Sequence, residues 1–173
     1  RAGGPAAIVL REAARRVGVS ASSAYRHYAD HDDLVAAVKE RAQQELVAAM
    51  ESEPVPAKRT ARQRSEERLR ALARGYLRFA EQEPGLFATA FDQKAPTSAT
   101  SASFGLLTTA LDEMVASGAL SASARRNAET PVWALVHGLA ELLTAGGPLS
   151  RLRRAERAAA IERTLAFLTA GLT

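Results

Sequence analysis

The chain has no cysteine among its 173 residues, which excludes a disulfide framework, thiolate metal ligation and thiol catalysis, and fits a reducing compartment. Lysine is nearly absent as well, with three against 20 arginines. No stretch reaches 18 uncharged apolar residues. The best run, Val132 to Leu143, is interrupted by His137 and Glu141, so no membrane-spanning helix is expected. No signal-peptide pattern, Gly-rich phosphate loop or nucleophile elbow occurs. The reading therefore assigns no catalytic residue, no cofactor and no metal. What the chain does have is alanine, 38 residues in all, which favours helix throughout.

The net charge of +4 is unevenly placed. Residues 1–28 hold five arginines against Glu12 alone, and the remaining residues balance to zero. A neutral body with one basic end points to a polyanionic partner, most often nucleic acid.

Proline and glycine clusters divide the sequence into helical blocks. Gly3-Gly4-Pro5 opens it, Ser52 to Pro56 interrupts it, Asp92 to Ser103 reads as a Thr/Ser/Ala loop, and Gly146-Gly147-Pro148 makes a last break. Between them apolar residues recur at helical spacing: Leu69, Leu72, Tyr76 and Ala80; Phe104, Leu107, Leu111 and Met114; Val132, Val136, Leu139 and Leu143; Ile161, Leu165, Leu168 and Leu172. No convincing period of two appears, so the expected fold is all-α. Near the N-terminus a helix from about Leu10 to Val17 is stopped by Gly18. Ser20 caps a second helix through Tyr28, and Asp30 with Asp33 starts a third. Ala14 is small enough for the second helix to cross close to the first. Two short helices joined by Gly18-Val19-Ser20 form a helix-turn-helix candidate.

The segment from Gly4 to Val38 resembles the DNA-binding region of TetR-family transcriptional regulators. Ala14, Gly18-Val19-Ser20, Tyr25-Arg26-His27-Tyr28 and Asp32-Asp33-Leu34 carry the likeness. Trp133 through His137-Gly138 is similar to the Trp-His-Gly signature of one subgroup's C-terminal domain. The resemblance implies a DNA-binding domain with its connecting helix at 1–50 and a helical ligand-binding and dimerisation domain at 57–173. It also implies a further helix before Gly3, packed on Val17, Val19 and Leu34. Ala21, Ser22 and Ser23 would face bases in the major groove, while Tyr25, Arg26, His27 and His31 would lie at the DNA, with Tyr25 and His27 on phosphates. His31 stands where the family commonly has a lysine, so a permanent cation becomes a titratable one. Val9 replaces a common Ser or Thr. Tyr28 is expected to point inward.

Six of the nine aromatic residues fall between Tyr76 and Trp133. Tyr76, Phe79, Phe87, Phe91, Phe104 and Trp133, with Leu107 and His137, are the candidate lining of an apolar ligand site. The alternative is that these side chains simply fill a core. Gly138 is expected to let a neighbouring helix approach. Leu135, Leu139 and Leu142, with Ile161, Leu165 and Leu168, form two apolar stripes expected to pair with a second copy as a four-helix interface. The arginines from Arg59 to Arg78 read as a solvated face. The expected function is that of a cytoplasmic homodimeric repressor, released from a quasi-palindromic operator by a small, largely apolar effector. A helical-bundle enzyme or metal protein centred on His137 and Glu141 is the competing class, because i, i+4 spacing sets those side chains side by side.

Overall fold

The apolar stripes fold as helices laid against one long central helix. The computed structural model describes residues 3–57, 60–92, 100–144 and 146–172, and among them helices are the only regular secondary structure. A 3-10 turn at Pro5–Ala7 precedes α1 (Leu10–Arg16), α2 (Ala21–Ala24) and α3 (His31–Glu51). Then come α4 (Ala61–Gln82), α5 (Pro84–Ala90), α6 (Thr100–Ala116), α7 (Ala122–Arg125), α8 (Glu129–Leu143) and α9 (Arg154–Leu172). Local chemistry sets the boundaries. The Thr60 hydroxyl accepts from Gln63 N while the Gln63 side chain accepts from Thr60 N, both at 3.2 Å, closing a capping box at the start of α4. Pro84 occupies the first turn of α5, where its missing N–H is not needed.

Helix α4 is the hub, packing against α3, α5, α6, α8 and α9. Leu69, Leu72, Leu77, Leu111, Met114, Leu143 and Leu165 bury their side chains in the main core. A smaller cluster of Leu10, Ala14, Ala24 and Leu34, with Tyr28 packed on it, holds the N-terminal helices together. The long α3 belongs to both, with Leu34 in the small cluster and Leu46 and Met50 in the large one. It also packs on α5 and α6. No described helix is long and apolar enough to cross a membrane.

Several expectations need correction. The second helix is a single turn, Ala21–Ala24; beyond it Arg26 N and His27 N bond to Ser23 O and Ala24 O in a tighter i, i+3 pattern. Most of the expected loop at 92–103 lies outside the described residues, but its last part, from Thr100, is already α6. The short helices α5 and α7 escape the periodicity argument because neither is long enough to show a repeat. Leu34 finds its packing partners within the chain, whereas Val17 and Val19 are exposed. The arginine face is only partly solvated. Arg59 lies outside the described residues, but Arg74 donates to both carboxylate oxygens of Glu162 on α9 at 2.7 and 2.9 Å and to Glu67 at 2.6 Å. Arg70 donates to Thr169 Oγ1 at 2.6 Å, and Arg78 binds Glu53, Ser52 Oγ and the carbonyl of Ala49. These side chains clamp α4 to its neighbours. Apart from Glu67, those partners lie far away in sequence, so helical spacing alone could not reveal them.

Gly75 allows α3 and α4 to cross at backbone contact: a Cβ there would sit less than 3.0 Å from Ala49 O and Met50 Cα. Gly75→Ala is expected to destabilise the protein by about 1–3 kcal/mol, the usual cost of overpacking, and to lower Tm by several degrees. Gly105→Ala within α6, where a Cβ meets nothing within 4 Å, is expected to stabilise by about 0.5–1 kcal/mol through helix propensity. Thermal unfolding of both variants checks the contrast.

Candidate functional site

The basic N-terminal unit is built by short-range bonds. Gly18 closes α1 at φ +74°, a conformation that favours glycine, and lets Val19 N reach Ala14 O at 3.0 Å. Ser20 Oγ accepts from Ser23 N at 3.1 Å to start α2. Asp30 accepts from Asp33 N at 2.9 Å while Asp33 accepts from Ala29 N at 3.0 Å, so the α2–α3 link is held from both sides. On this frame Ser22, Tyr25, Arg26, His27 and His31 are exposed, and Ala21 and Ser23 are half-buried. Tyr28 turns inward as expected, and Tyr25, 48% exposed, turns outward. Arg15 and Arg16 both bind Glu12, whose carboxyl they hold down to about 2, Arg15 being the stronger influence. Glu12 thus stays ionised and offsets part of the local positive charge. Arg26 reaches back to Ser23 Oγ at 3.1 Å. His31 Nδ1 sits 3.3 Å from Asp32 Oδ1, an acidic setting that the lysine-for-histidine comparison does not foresee.

The larger unit contains a cavity of about 180 Å3, almost wholly apolar, between α3, α4, α6 and α8. Tyr76, Phe91, Phe104, Leu107 and Trp133 line it, as the sequence leads one to expect. Phe79, Phe87 and His137 do not. Phe79 is buried elsewhere in the core, and Phe87 stands behind Tyr76, its ring edge-on at 5.4 Å. His137 forms the polar backing of the wall: its Nδ1 is 2.7 Å from the Tyr76 hydroxyl. The rings of Phe91, Trp133, Phe87 and Tyr76 surround it at 4.9, 5.3, 5.5 and 6.3 Å. Composition could not select Met50, Leu69, Leu72, Ala73, Val132, Val136 and Ser103, which also line the cavity; most of them look like ordinary core. Their signal is positional, since each sits on the stripe of its helix that faces the others.

Gln43 and Lys39, both buried on α3, are the residues that sequence reasoning missed. Gln43 Nε2 donates to Ala90 O at 2.9 Å, its Oε1 accepts from Ser103 Oγ at 3.2 Å, and Lys39 Nζ donates to Asp92 O. These bonds tie α3 to the chain on either side of Phe91 and to the cavity wall at Ser103. The visible signal is two polar residues, four apart, flanking the apolar stripe of Leu34, Val35, Val38, Ala42 and Leu46.

His137 Nε2 lies 3.9 Å from Glu141 Oε1. Among the described residues no group of three or more His, Cys, Asp or Glu side chains is gathered as a metal site. The dimer stripes also need correction. Leu139, Leu165 and Leu168 are buried within the chain, and Leu135 and Ile161 pack against the same core; of the six only Leu142 is exposed. The larger outward apolar side chain on α9 is Phe167, 71% exposed. Gly138 faces open space: among the described residues nothing outside its own helix backbone lies within 4 Å of a Cβ placed there.

Burial lowers the His137 pKa and pushes the Tyr76 phenol well above its usual range. In the unfolded chain the imidazole titrates near 6.5. The neutral ring therefore contributes stability that is fully present above about pH 6.5 and is lost as pH falls through the lower folded value. Tm is expected to fall between about pH 7.5 and about pH 5.5. His137→Gln should flatten that slope, and an equal slope in the variant would contradict this account.

Set beside known proteins, no curated protein matches the sequence significantly. A protein of unknown function from Rhodococcus sp. RHA1 shares 28% identity, with TM-score 0.73 over 95% of this chain and 84% of that one. The TetR family transcriptional regulator PfmR from Thermus thermophilus shares the fold at TM-score 0.66 and 19% identity, covering 97% of this chain and 89% of its own. A putative transcriptional regulator from Streptomyces coelicolor A3(2) does so at TM-score 0.58 and 21% identity, over 98% and 89%. The tetracyclin repressor-like C-terminal domain family matches residues 69–168, the stretch that supplies most of the hub helix and most of the cavity wall. With its helix-turn-helix geometry at one end and that match across more than half of its length, the chain belongs to the TetR family of transcriptional regulators.

Proposed function

We propose that the protein is a cytoplasmic, DNA-binding repressor that acts as a homodimer on a quasi-palindromic operator and is released by a small, largely apolar effector bound in the cavity. The observation that carries this reading is the double membership of α3: one end packs with the exposed α2 unit, and the other end walls the cavity through Met50. Trp133, His137 and Gly138 on α8 agree with a place in the Trp-His-Gly subgroup.

In this reading Ala21, Ser22 and Ser23 lie against base edges, and Tyr25, Arg26 and His27 lie against the phosphate backbone. The effector must prefer the arrangement in which the two recognition units are misplaced for DNA. A preference of about 2.7 kcal/mol shifts operator affinity roughly a hundredfold. The route runs from Phe91 and Ser103 through Gln43 and Lys39 into α3. The partner copy pairs with the outward face of α8 and α9, where Ala134, Gly138, Leu142, Ala159 and Phe167 are exposed. Gly138 is the point at which the partner's helix comes closest.

Two experiments test the reading. Duplexes selected from a random pool should bind with a steep salt dependence. Tyr25→Phe and His27→Ala should weaken binding to every selected sequence alike, whereas Ser22→Ala should change the preferred sequence; the opposite pattern would overturn the assignment. Leu142→Glu with Phe167→Glu, both solvent-facing, should give a folded monomer by sedimentation with operator affinity reduced at least tenfold, because one half-site contact is lost. A wild-type protein that sediments as a monomer at micromolar concentration would sink the dimer.

A further inference from the structure

We infer that the cavity takes an uncharged one- or two-ring aromatic molecule carrying a single hydrogen-bond donor, of the phenol or indole class. This inference rests on the effector-site reading above and specifies its ligand. Size comes first. An apolar cavity of roughly 150 Å3 stays dry and takes up benzene. The present one, at about 180 Å3, accommodates a substituted benzene or a small fused bicycle. Its aromatic walls, Tyr76, Phe91, Phe104 and Trp133, offer ring faces and edges at several angles, which suits a flat ligand better than a long alkyl chain.

Charge is the second constraint. None of the described lining side chains is ionisable at neutral pH, and Glu141, which lies 3.9 Å from His137 Nε2, is itself largely in solvent. A carboxylate or ammonium entering the cavity would lose its hydration without meeting a counter-charge.

The third constraint is the polarity of the hydrogen-bonding groups. His137 Nδ1 and the Tyr76 hydroxyl are hydrogen-bonded to each other at 2.7 Å, so that hydroxyl is already engaged behind the wall. The Trp133 indole interacts with the same hydroxyl. At the opposite wall Gln43 Nε2 is committed to Ala90 O, which leaves Oε1 to accept the Ser103 proton. Among the described lining residues, Ser103 gives its proton to Gln43 and the Tyr76 hydroxyl is engaged with His137, while Ser103 Oγ keeps its acceptor lone pairs. The described wall therefore offers a hydrogen-bond acceptor at Ser103 Oγ. A ligand O–H or N–H meets that acceptor, whereas a ligand carbonyl or carboxylate would set oxygen against oxygen there.

The test is calorimetric titration of the full chain with phenol, indole, toluene, benzoate, benzylammonium and octanoate. Phenol and indole should bind about fivefold more tightly than toluene, the effect of one neutral hydrogen bond. Benzoate, benzylammonium and octanoate should bind at least tenfold more weakly than phenol. Ser103→Ala should bring phenol down to the level of toluene while leaving toluene unchanged. The wild-type ranking needs no variant and stands even if that substitution perturbs folding. Tighter binding of benzoate, benzylammonium or octanoate than of phenol, equal binding of phenol and toluene, or no binding of any ring would overturn the inference. Because the readout is binding alone, failure here bears on the ligand class. Failure of DNA release on adding a ring that does bind would bear on the repressor reading.

Discussion

The crossing of α3 over α4 at Gly75 is the constraint on which the rest of the molecule depends. At that point the helices touch backbone to backbone, with no side chain between them to act as a cushion. Packed interiors resist small displacements, so two helices in such contact move together or slide as rigid bodies. Because α4 also contacts α5, α6, α8 and α9, the position of α3 is referred to the whole helical body rather than to one neighbour. Whatever sets the angle of α3 at Met50 therefore sets the position of Leu34 and the small N-terminal cluster about four turns away.

The buried polar groups on α3 give that lever a second attachment. Lys39 and Gln43 are 4% and 1% exposed, and a buried cation or amide is tolerable only when its hydrogen bonds are made. Their partners are backbone carbonyls at Ala90 and Asp92 and the Ser103 hydroxyl. A shift of Phe91 away from the cavity would stretch bonds on both sides of it. Leaving either polar group unpaired costs about 1–3 kcal/mol or more, comparable to the coupling free energies by which one site commonly influences another. An apolar contact in the same place would give way gradually. A satisfied buried bond holds until it breaks, and this makes two discrete arrangements of α3 more natural than a continuum.

The fold was legible in the sequence wherever local chemistry decides it. The stripes on α4, α6, α8 and α9, the caps at Ser20 and Asp30 and the stop at Gly18 all depend on residues within a few positions of one another. The candidate site was legible only in part. Tyr76, Phe91, Phe104, Leu107 and Trp133 do surround one cavity, but Phe79 and Phe87 share the same helical faces and fill core instead. Which aromatic lines a void depends on how four helices meet, and no spacing within one helix encodes that. The same limit explains the arginines. Arg70 and Arg74 on α4 look solvated until α9 brings Thr169 and Glu162 across, roughly ninety residues later in the chain. It also explains the buried leucines of α8 and α9, where an apolar stripe marks a covered face without saying whether the cover comes from the same chain or another.

Helix α8 shows how close the two proposed roles of the C-terminal unit lie. Val132, Trp133 and Val136 face the cavity, His137 backs its wall, and Ala134, Gly138 and Leu142 face outward, all within three turns. His137 is the hinge of this arrangement. Enclosed by four rings and bonded to Tyr76, it fixes the rotation of α8 about its own axis more firmly than apolar packing alone would, because a hydrogen bond has a direction and dispersion contacts do not. Rotating α8 to admit a larger ligand would break that bond and turn Gly138 and Leu142 away from their outward positions. On the proposed reading, an effector that fits without rotation would leave the outward face undisturbed and act through Phe91, Ser103 and α3. The Tyr76–His137 bond would then decide whether a ligand in the cavity is felt at the outward face of α8 or only along α3.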